Sequence, residues 1–441
     1  MQRKRFFNLV TGLVAVCGLL TVGVVGGTDV EAKVTITVQM FSGPEYDAME
    51  PTAEYWNKNY ADKTGIRVKA LALSRVGYFE KMQSQLVAGL KEPDIVHPFN
   101  MLLGKISPYL EPLNDYLKRE DIMSGPNGEK YMLDDMLKVA LETATAPDGS
   151  ILALPKDMSE VHLYYRKDLI PEPPDTWDEY MELAKKFTQS INPDSPTKYG
   201  AVMQGKYEKW TYCAALNNLW PNGYQIFKDG TANKEIADYN PDWAKGFRVY
   251  EELSKAKVLY PGFDNTEYPE VSAALESGDV AMAMQWNANY FSLTNKEISP
   301  KVYDKIMIGP PPGEKQADGS IKRAMYTQTI CLALNKKSKN KDAAMKFLAW
   351  SVFGEGAVLY AQKGGSSPIK QVWKAKDAAM PYPYLAEWVE KYGRPLPQHT
   401  DMSELVMIGS SWVQKVGIGK ATSEEAAKGM REEMIKFLKS R

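Results

Sequence analysis

The sequence predicts an α/β protein built on a mainly parallel sheet, in a chain long enough for two lobes. Three observations carry this. Residues 34–97 run strand–helix–strand–helix–strand, an order that needs a parallel sheet with right-handed crossovers. Short extended runs and helices alternate again between residues 150 and 310. The chain has 441 residues, more than one compact domain usually holds, so two lobes with separate cores are expected.

The chain opens on an export segment, residues 1–32. MQRKR is a basic start, residues 6–27 are apolar and uncharged, and Val30-Glu31-Ala32 offers small-residue cleavage chemistry before Lys33. The apolar run also has the roughly 20 residues that span a bilayer, so a retained anchor is the alternative to cleavage after Ala32. Cys17 lies in the middle of the run before Gly18-Leu19-Leu20, whereas a lipid-anchored Cys stands at its end after a small residue. No later stretch reaches transmembrane length, so the protein is expected soluble and outside the cytoplasm, periplasmic or secreted.

Val34, Ile36, Val38 and Met40 alternate with polar residues, a strand by its period of two. Ser42-Gly43-Pro44 breaks it, and Met49, Ala53, Trp56 and Tyr60 mark a helix that Gly65 ends. Residues 66–73 read as the next strand. Tyr78, Phe79, Met82, Leu86, Val87 and Leu90 mark a second helical face, and residues 94–97 are extended after Pro93. Further on, residues 150–155 and 161–165 read as two extended runs. Thr176, with Glu179 three residues later, caps a helix striped by Trp177, Tyr180, Met181, Ala184 and Phe187. A helix at 269–277 turns through Ser277-Gly278-Asp279 into a strand at 280–285, and a strand at 305–308 ends at Pro310. A helix at 342–351 carries Met345, Leu348 and Trp350. The last helix starts at the Thr422–Glu425 capping box and carries Met430, Met434, Phe437 and Leu438.

Composition bounds the function. Hydrophobic residues are 44% and charged residues 25%, ordinary for a globular protein. A net charge of -1 offers no field for nucleic acid. Outside the export segment only Cys213 and Cys331 remain, two buried thiols rather than a disulfide framework. The histidines, His97, His162 and His399, are not spaced as metal ligands. There is no G-x-S-x-G, H-E-x-x-H, G-x-x-x-x-G-K-[ST] or paired C-x-x-C. Catalysis would rest on paired carboxylates such as Asp157 and Glu160 acting on a glycoside, and sequence proximity of that kind is common. The reading is therefore no enzyme, no cofactor and no metal.

The segments YFEKMQSQLVAGLKEPDIV, GSILALPKDMSEVHLYYRKDLI, PDTWDEYMELAKKFT, ALESGDVAMAMQWNANY, IGPPPGEK and SKNKDAAMKFLAWSVFGEGAVLYAQKGGSSP occur in this order. In order and spacing they resemble the extracellular solute-binding proteins of carbohydrate ABC importers, the maltose-binding-like family. Each segment alone is loose; the six together span nearly the whole chain after the export segment. The resemblance implies the two-lobe periplasmic-binding-protein fold (type II), with crossings near 152–155, 285–289 and Trp350. Residues 33–152 and 289–349 would form the first lobe, and 153–288 and 350–441 the second. It implies a monomer that captures a mono- or oligosaccharide by hinge closure and delivers it to membrane permease subunits. A sensor feeding a receptor on the same fold, or a non-sugar solute such as a polyol, glycerol phosphate or peptide, are the alternatives.

Candidate ligand-binding residues follow from the rule that ligands sit beyond the carboxyl ends of parallel strands. Phe41, Ser42 and Gly43 follow the first strand, where a Gly lets backbone approach a ligand; a plain turn is the alternative. Phe99 and Asn100 follow the third, and the amide suits sugar hydroxyls. Asp157 can accept from two hydroxyls. Trp286, ending the 280–285 strand, offers a flat apolar platform to a sugar ring, with Asn287 beside it. Similar proteins draw stacking residues from the region of Trp210, so the resemblance makes it a cleft candidate; Tyr326 and Gln328, and the run Gly365–Ser366, are further ones, each with packing or helix termination as its alternative. Arg75, in the loop before the second helix, could reach a ligand carboxylate or phosphate, with a solvated loop residue as the alternative, and His162 reads as packed on a strand. Trp286→Ala is expected to weaken binding at least tenfold while leaving the unfolding of the empty protein nearly unchanged.

Overall fold

The computed structural model describes residues 34–228, 235–373 and 382–441. The export segment and Cys17 lie outside the described residues. Strand β1 (Val34–Phe41) pairs in parallel with β2 (Ile66–Leu73) along its whole length, from Val34 opposite Ile66 to Phe41 opposite Leu73. β3 (Ile95–Val96) adds in parallel on the other side. Helices Pro44–Asn59 and Tyr78–Val87 make the crossovers, as the N-terminal periodicity predicts.

The alternation along β1 suggests one dry and one wet face, but the structure buries both. Thr37 and Gln39 are buried because a parallel sheet is covered on each side. Their polar groups are met: the Asp94 carboxylate accepts from the Thr37 N–H and hydroxyl, and the Gln39 amide donates to Gln85 Oε1. On helix Tyr78–Val87 the buried stripe is Tyr78, Met82 and Leu86, at strict four-residue steps. Val87 and Leu90, read as part of that face, are turned to solvent.

The two runs expected at 150–155 and 161–165 merge into one long strand, β4 (Leu154–Arg166). The remaining strands are β5 (Tyr199–Val202), β6 (Val280–Trp286), β7 (Ile306–Gly309), a separate hairpin of β8 (Glu314–Lys315) and β9 (Ile321–Lys322), then β10 (Met325–Leu334) and β11 (Gly393–Arg394). The main sheet runs β2-β1-β3-β10-β4-β6-β5, with β7 also on β4 and β11 on β10. β10 lies antiparallel between β3 and the first part of β4. The later part of β4 is flanked antiparallel by β6 and β7, and β6 is parallel to β5. β4 and β10 are thus the strands that tie the two halves of the molecule.

Packing moves two of the expected crossings. The chain does not return to the first half near 289: Leu293 of helix Asn289–Thr294 is buried, and β7 hydrogen-bonds to β4, so this stretch stays with β6 and the return comes with β10. Nor does it leave at Trp350. That indole packs edge-on to Trp56 of helix Pro44–Asn59 at 4.9 Å, and Glu355 accepts from the Tyr55 and Tyr60 hydroxyls of the same helix. Helices Lys341–Phe353 and Glu355–Gln362 therefore belong with the first half.

In the second half, helix Met402–Gly417 lies close on helix Lys209–Leu219, because Gly409 offers no side chain: a Cβ there would fall 2.3 Å from the Tyr212 ring. The Ser410 hydroxyl accepts from the Tyr212 N–H and donates to the Glu208 carbonyl. The two capping boxes form as read: Thr176 and Thr422 each accept from the N–H of the glutamate three residues on. Cys213 and Cys331 are free buried thiols. Among the described residues no helix is long and apolar enough to cross a membrane.

Candidate functional site

The carboxyl ends of β1, β3 and β6 open on one cavity with about 490 Å³ of empty space, its open mouth included. Pro44 and Glu45 follow β1, Phe99 follows β3, and Ala288 lies just past Trp286 at the end of β6. Ser159 comes from β4, and Gln328 and Ile330 from β10. Arg75, Trp210, Glu267 and Tyr268 complete the wall.

Three aromatic rings set the shape of the cavity. Phe99 and Trp210 stand 4.9 Å apart at 60°, and Trp210 meets Trp286 edge-on at 5.8 Å. Tilted and edge-on contacts hold each ring against its neighbour, and all three line the cavity. Phe99 comes from the first half, Trp210 and Trp286 from the second, so both halves supply apolar platforms. Behind them, Phe41 stacks on Phe99 at 5.6 Å and Tyr326 meets Trp286 at 6.1 Å.

A second chamber lies alongside, with about 340 Å³ of empty space. It shares Pro44, Glu45 and Ala288 with the first and adds Asp157, Asn287, Phe291, Gly364, Gly365, Ser366 and Leu385. Its polar groups are braced. The Asp157 carboxylate accepts from the Tyr360 hydroxyl and the Ser366 N–H, both at 2.8 Å. The Asn287 amide donates to the Met158 carbonyl and to Ser366 Oγ. Lys156, beside Asp157 on β4, points elsewhere: its ammonium donates to the Ser351 carbonyl and sits 4.0 Å from the centre of the Tyr360 ring.

Charge in the walls is mostly negative. Burial raises Glu45, with the Arg75 guanidinium working against it. Gly43 allows that approach: its φ is 146°, and a Cβ would lie 3.3 Å from Glu45 Oε2 and 3.5 Å from an Arg75 nitrogen. Asp157 is held well above the usual carboxylate range by burial and then by Glu45. Burial also raises Glu267. Lys156, buried, is lowered to about 7. Among the described residues no group of His, Cys, Asp and Glu has the arrangement of a metal site.

Of the sequence candidates, Phe99, Trp210, Trp286 and Gln328 come together on the first cavity, and Asp157, Asn287, Gly365 and Ser366 on the second. Five others stand off the walls. Phe41 and Tyr326 form the layer behind the aromatic rings. Asn100 is fully buried, its Oδ1 accepting from the Thr329 N–H and its carbonyl from Gln398. Ser42 is exposed and its N–H bonds Leu73. Gly43 acts through the space it leaves. Trp286 is only 5% exposed, so its loss also costs the empty protein stability, contrary to the expectation above. Arg75 is exposed and forms part of the wall.

Sequence reading missed Glu45, Ser159, Glu267, Tyr268, Ala288 and Ile330. Ser159 and Ile330 had a signal: each stands two residues beyond a chosen candidate on the same strand, hence on the same face. Glu45 lies two residues past Gly43 in the first turn of its helix. Glu267 and Tyr268 reach the cavity only through the placement of their helix, which no local pattern announces.

The model of the bacterial extracellular solute-binding proteins matches residues 43–353. The chain is 26% identical over 322 residues to a probable amino-acid ABC transporter periplasmic-binding protein of Sinorhizobium fredii, covering 70% of this chain and 66% of that one. It is 25% identical over 291 residues to the mannitol-binding protein of Pseudomonas aeruginosa, covering 63% of each. The matches thus span slightly less than two thirds of those relatives' own length. Among solved structures, the maltose-bound MalE3 of T. maritima superposes with a TM-score of 0.75 at 24% identity, over 92% of this chain and 99% of that one. At that identity the likeness establishes the two-lobe fold.

Proposed function

This chain belongs to the bacterial extracellular solute-binding protein family, and we propose that it is the extracytoplasmic substrate-binding component of an ABC importer, taking up a small polyhydroxylated solute. The family is one of solute binders, not of enzymes. The observation that carries the reading is a cavity walled by Phe99 from one half and Trp210 and Trp286 from the other, with Gln328, Ser159, Glu45 and Arg75 among them. Flat rings suit the C–H faces of a sugar or polyol, and the polar groups suit its hydroxyls. A solute touching both halves favours the closed arrangement by its differential affinity.

Magnitudes set what the site must supply. A ring contact contributes on the order of 1 kcal/mol and a neutral hydrogen bond about 1 kcal/mol net. Micromolar binding, about 8 kcal/mol, therefore uses the aromatic set and several polar groups together. The ligand class is a mono- or oligosaccharide, with a polyol the second reading, favoured by the mannitol-binding relative. Permease subunits at the membrane are the partners, the protein acts as a monomer, and cleavage after Ala32 releases it from its export segment. The first lobe holds residues 34–153 with β10 and helices Lys341–Phe353 and Glu355–Gln362; the second holds the later part of β4 through β7 and the helices from Met402 on.

A thermal-shift panel of sugars, polyols, amino acids and phosphate esters tests this. A rise in melting temperature with a sugar or polyol series follows from binding by mass action. Silence from sugars and polyols alike, with a rise for another class, would overturn the ligand class and leave the family untouched.

A further inference from the structure

Resting on that reading, we infer that the second chamber receives a protonated amine of the solute beside Glu45 and Asp157, so that the ligand class is an amino sugar or amino polyol. The argument begins with donors and acceptors. In this chamber both N–H groups of the Asn287 amide are spent on Met158 and Ser366, and the Ser366 N–H is spent on Asp157. What faces the space is rich in acceptors. Glu45 stands on the wall common to both chambers, and its Oε2 is buried with no hydrogen-bond partner in the protein. A buried acceptor without a donor costs free energy until something donates to it.

Charge decides which donor. The walls of the two chambers hold three carboxylates, Glu45, Asp157 and Glu267, against one guanidinium, Arg75, on an exposed loop. The nearest other cation, Lys156, does not line the chamber; it is turned to the Ser351 carbonyl and the Tyr360 ring. Glu45 and Asp157 each disfavour their charged forms through burial, and Glu45 adds to the effect on Asp157. An ammonium entering between them donates to the unmet acceptor and favours the charged carboxylates, displacing the proton that burial holds on them, whereas a hydroxyl only donates. Charge-assisted hydrogen bonds are roughly twice as strong as neutral ones. The polyhydroxylated remainder of the same molecule lies against Phe99, Trp210 and Trp286 in the adjoining chamber. The titratable and charged groups in and around this site are Glu45, Asp157, Glu267, Arg75, Lys156, Tyr268 and Tyr360.

Isothermal titration of the protein from Lys33 onward with matched pairs tests the inference: glucosamine against glucose, 1-amino-1-deoxysorbitol against sorbitol, and N-acetylglucosamine as the uncharged control for bulk. At least one amine should bind about tenfold or more tightly than its neutral parent and than the acetylated control. Its binding should release protons, seen as a heat that changes between buffers of different ionisation enthalpy. In Glu45→Gln the ratio of amine to parent affinity should fall toward one, with Asp157→Asn as a second variant should the first fold poorly. Neutral parents that bind as tightly as their amines would sink the inference and leave the proposed function standing. A preference undiminished in both variants would also sink it. If no sugar or polyol of either kind binds, the proposed function falls and takes the inference with it.

Discussion

Truncating Trp286 to alanine separates packing from recognition. The side chain is 5% exposed, packs edge-on against Trp210 and Tyr326, and follows a strand paired to β4 at Val161. Burying a Trp removes about 200 Å² from water, which at about 25 cal/mol per Å² is roughly 5 kcal/mol, near the about 3–5 kcal/mol of Trp→Ala changes in cores. At about 2–4 °C per kcal/mol for a lobe-sized unit, the empty variant should melt roughly 6–20 °C lower. Trp210 is only partly buried, so Trp210→Ala should cost the empty protein about half as much. Both variants should lose about tenfold or more in ligand affinity, one ring contact each. Differential scanning fluorimetry without ligand and titration calorimetry with it read the two effects separately. An empty Trp286→Ala protein that melts within about 1 °C of the parent would refute the packing argument. Full affinity in both variants would refute the placement of the site.

Three further outcomes follow from the interior. Glu160 is fully buried without a hydrogen-bond partner for its carboxylate, and burial pushes it up to about 8. The folded protein then holds a proton that the unfolded chain loses above the ordinary Glu value, so stability falls as pH rises through that window. His97 and His162, lowered by burial to about 3, act oppositely but only below the ordinary His value near 6.5, and Lys156, lowered to about 7, acts oppositely above that pH, so the Glu160 contribution is read as a difference: from pH 6.5 to 8 the parent should lose melting temperature relative to Glu160→Gln; equal slopes in parent and variant would contradict this. Cys213 and Cys331 are pushed up to about 12 by burial, so neither should react with iodoacetamide until the protein unfolds; rapid native labelling would contradict their placement. Gly200 of β5 lies against helix Trp177–Lys186, where a Cβ would fall 1.7 Å from the Ala184 carbonyl oxygen, so Gly200→Ala should cost about 1–3 kcal/mol or more in chemical denaturation, and a neutral result would mean the helix can move away.

Much of the fold was legible in short windows. The N-terminal strand–helix order, both capping boxes and the strand at 280–286 depend on residues within a few positions of one another, and they formed where the periodicity put them. The misreadings share a cause. Thr37 and Gln39 look like a solvent face until Asp94 and Gln85 arrive to bond them. The stretch 289–309 looks like a return to the first lobe until β7 pairs with β4, over 140 residues earlier in the chain. Trp350 looks like a crossing until it meets Trp56.

The site divides in the same way. Sequence alone determined the α/β class and the aromatic and polar residues at strand ends, because hydrophobic period and residue chemistry are local properties. Only the tertiary structure decided which of them share a wall. Asn100 and Gln328 are both amide candidates in the sequence, yet Asn100 is fully buried with its Oδ1 accepting from the Thr329 N–H, and Gln328 lines the cavity. Glu45, Glu267 and Arg75 come from three separate loops and helix starts, and nothing within any one segment brings them together. Long-range strand pairing places those ends side by side, and burial then changes what their charges do.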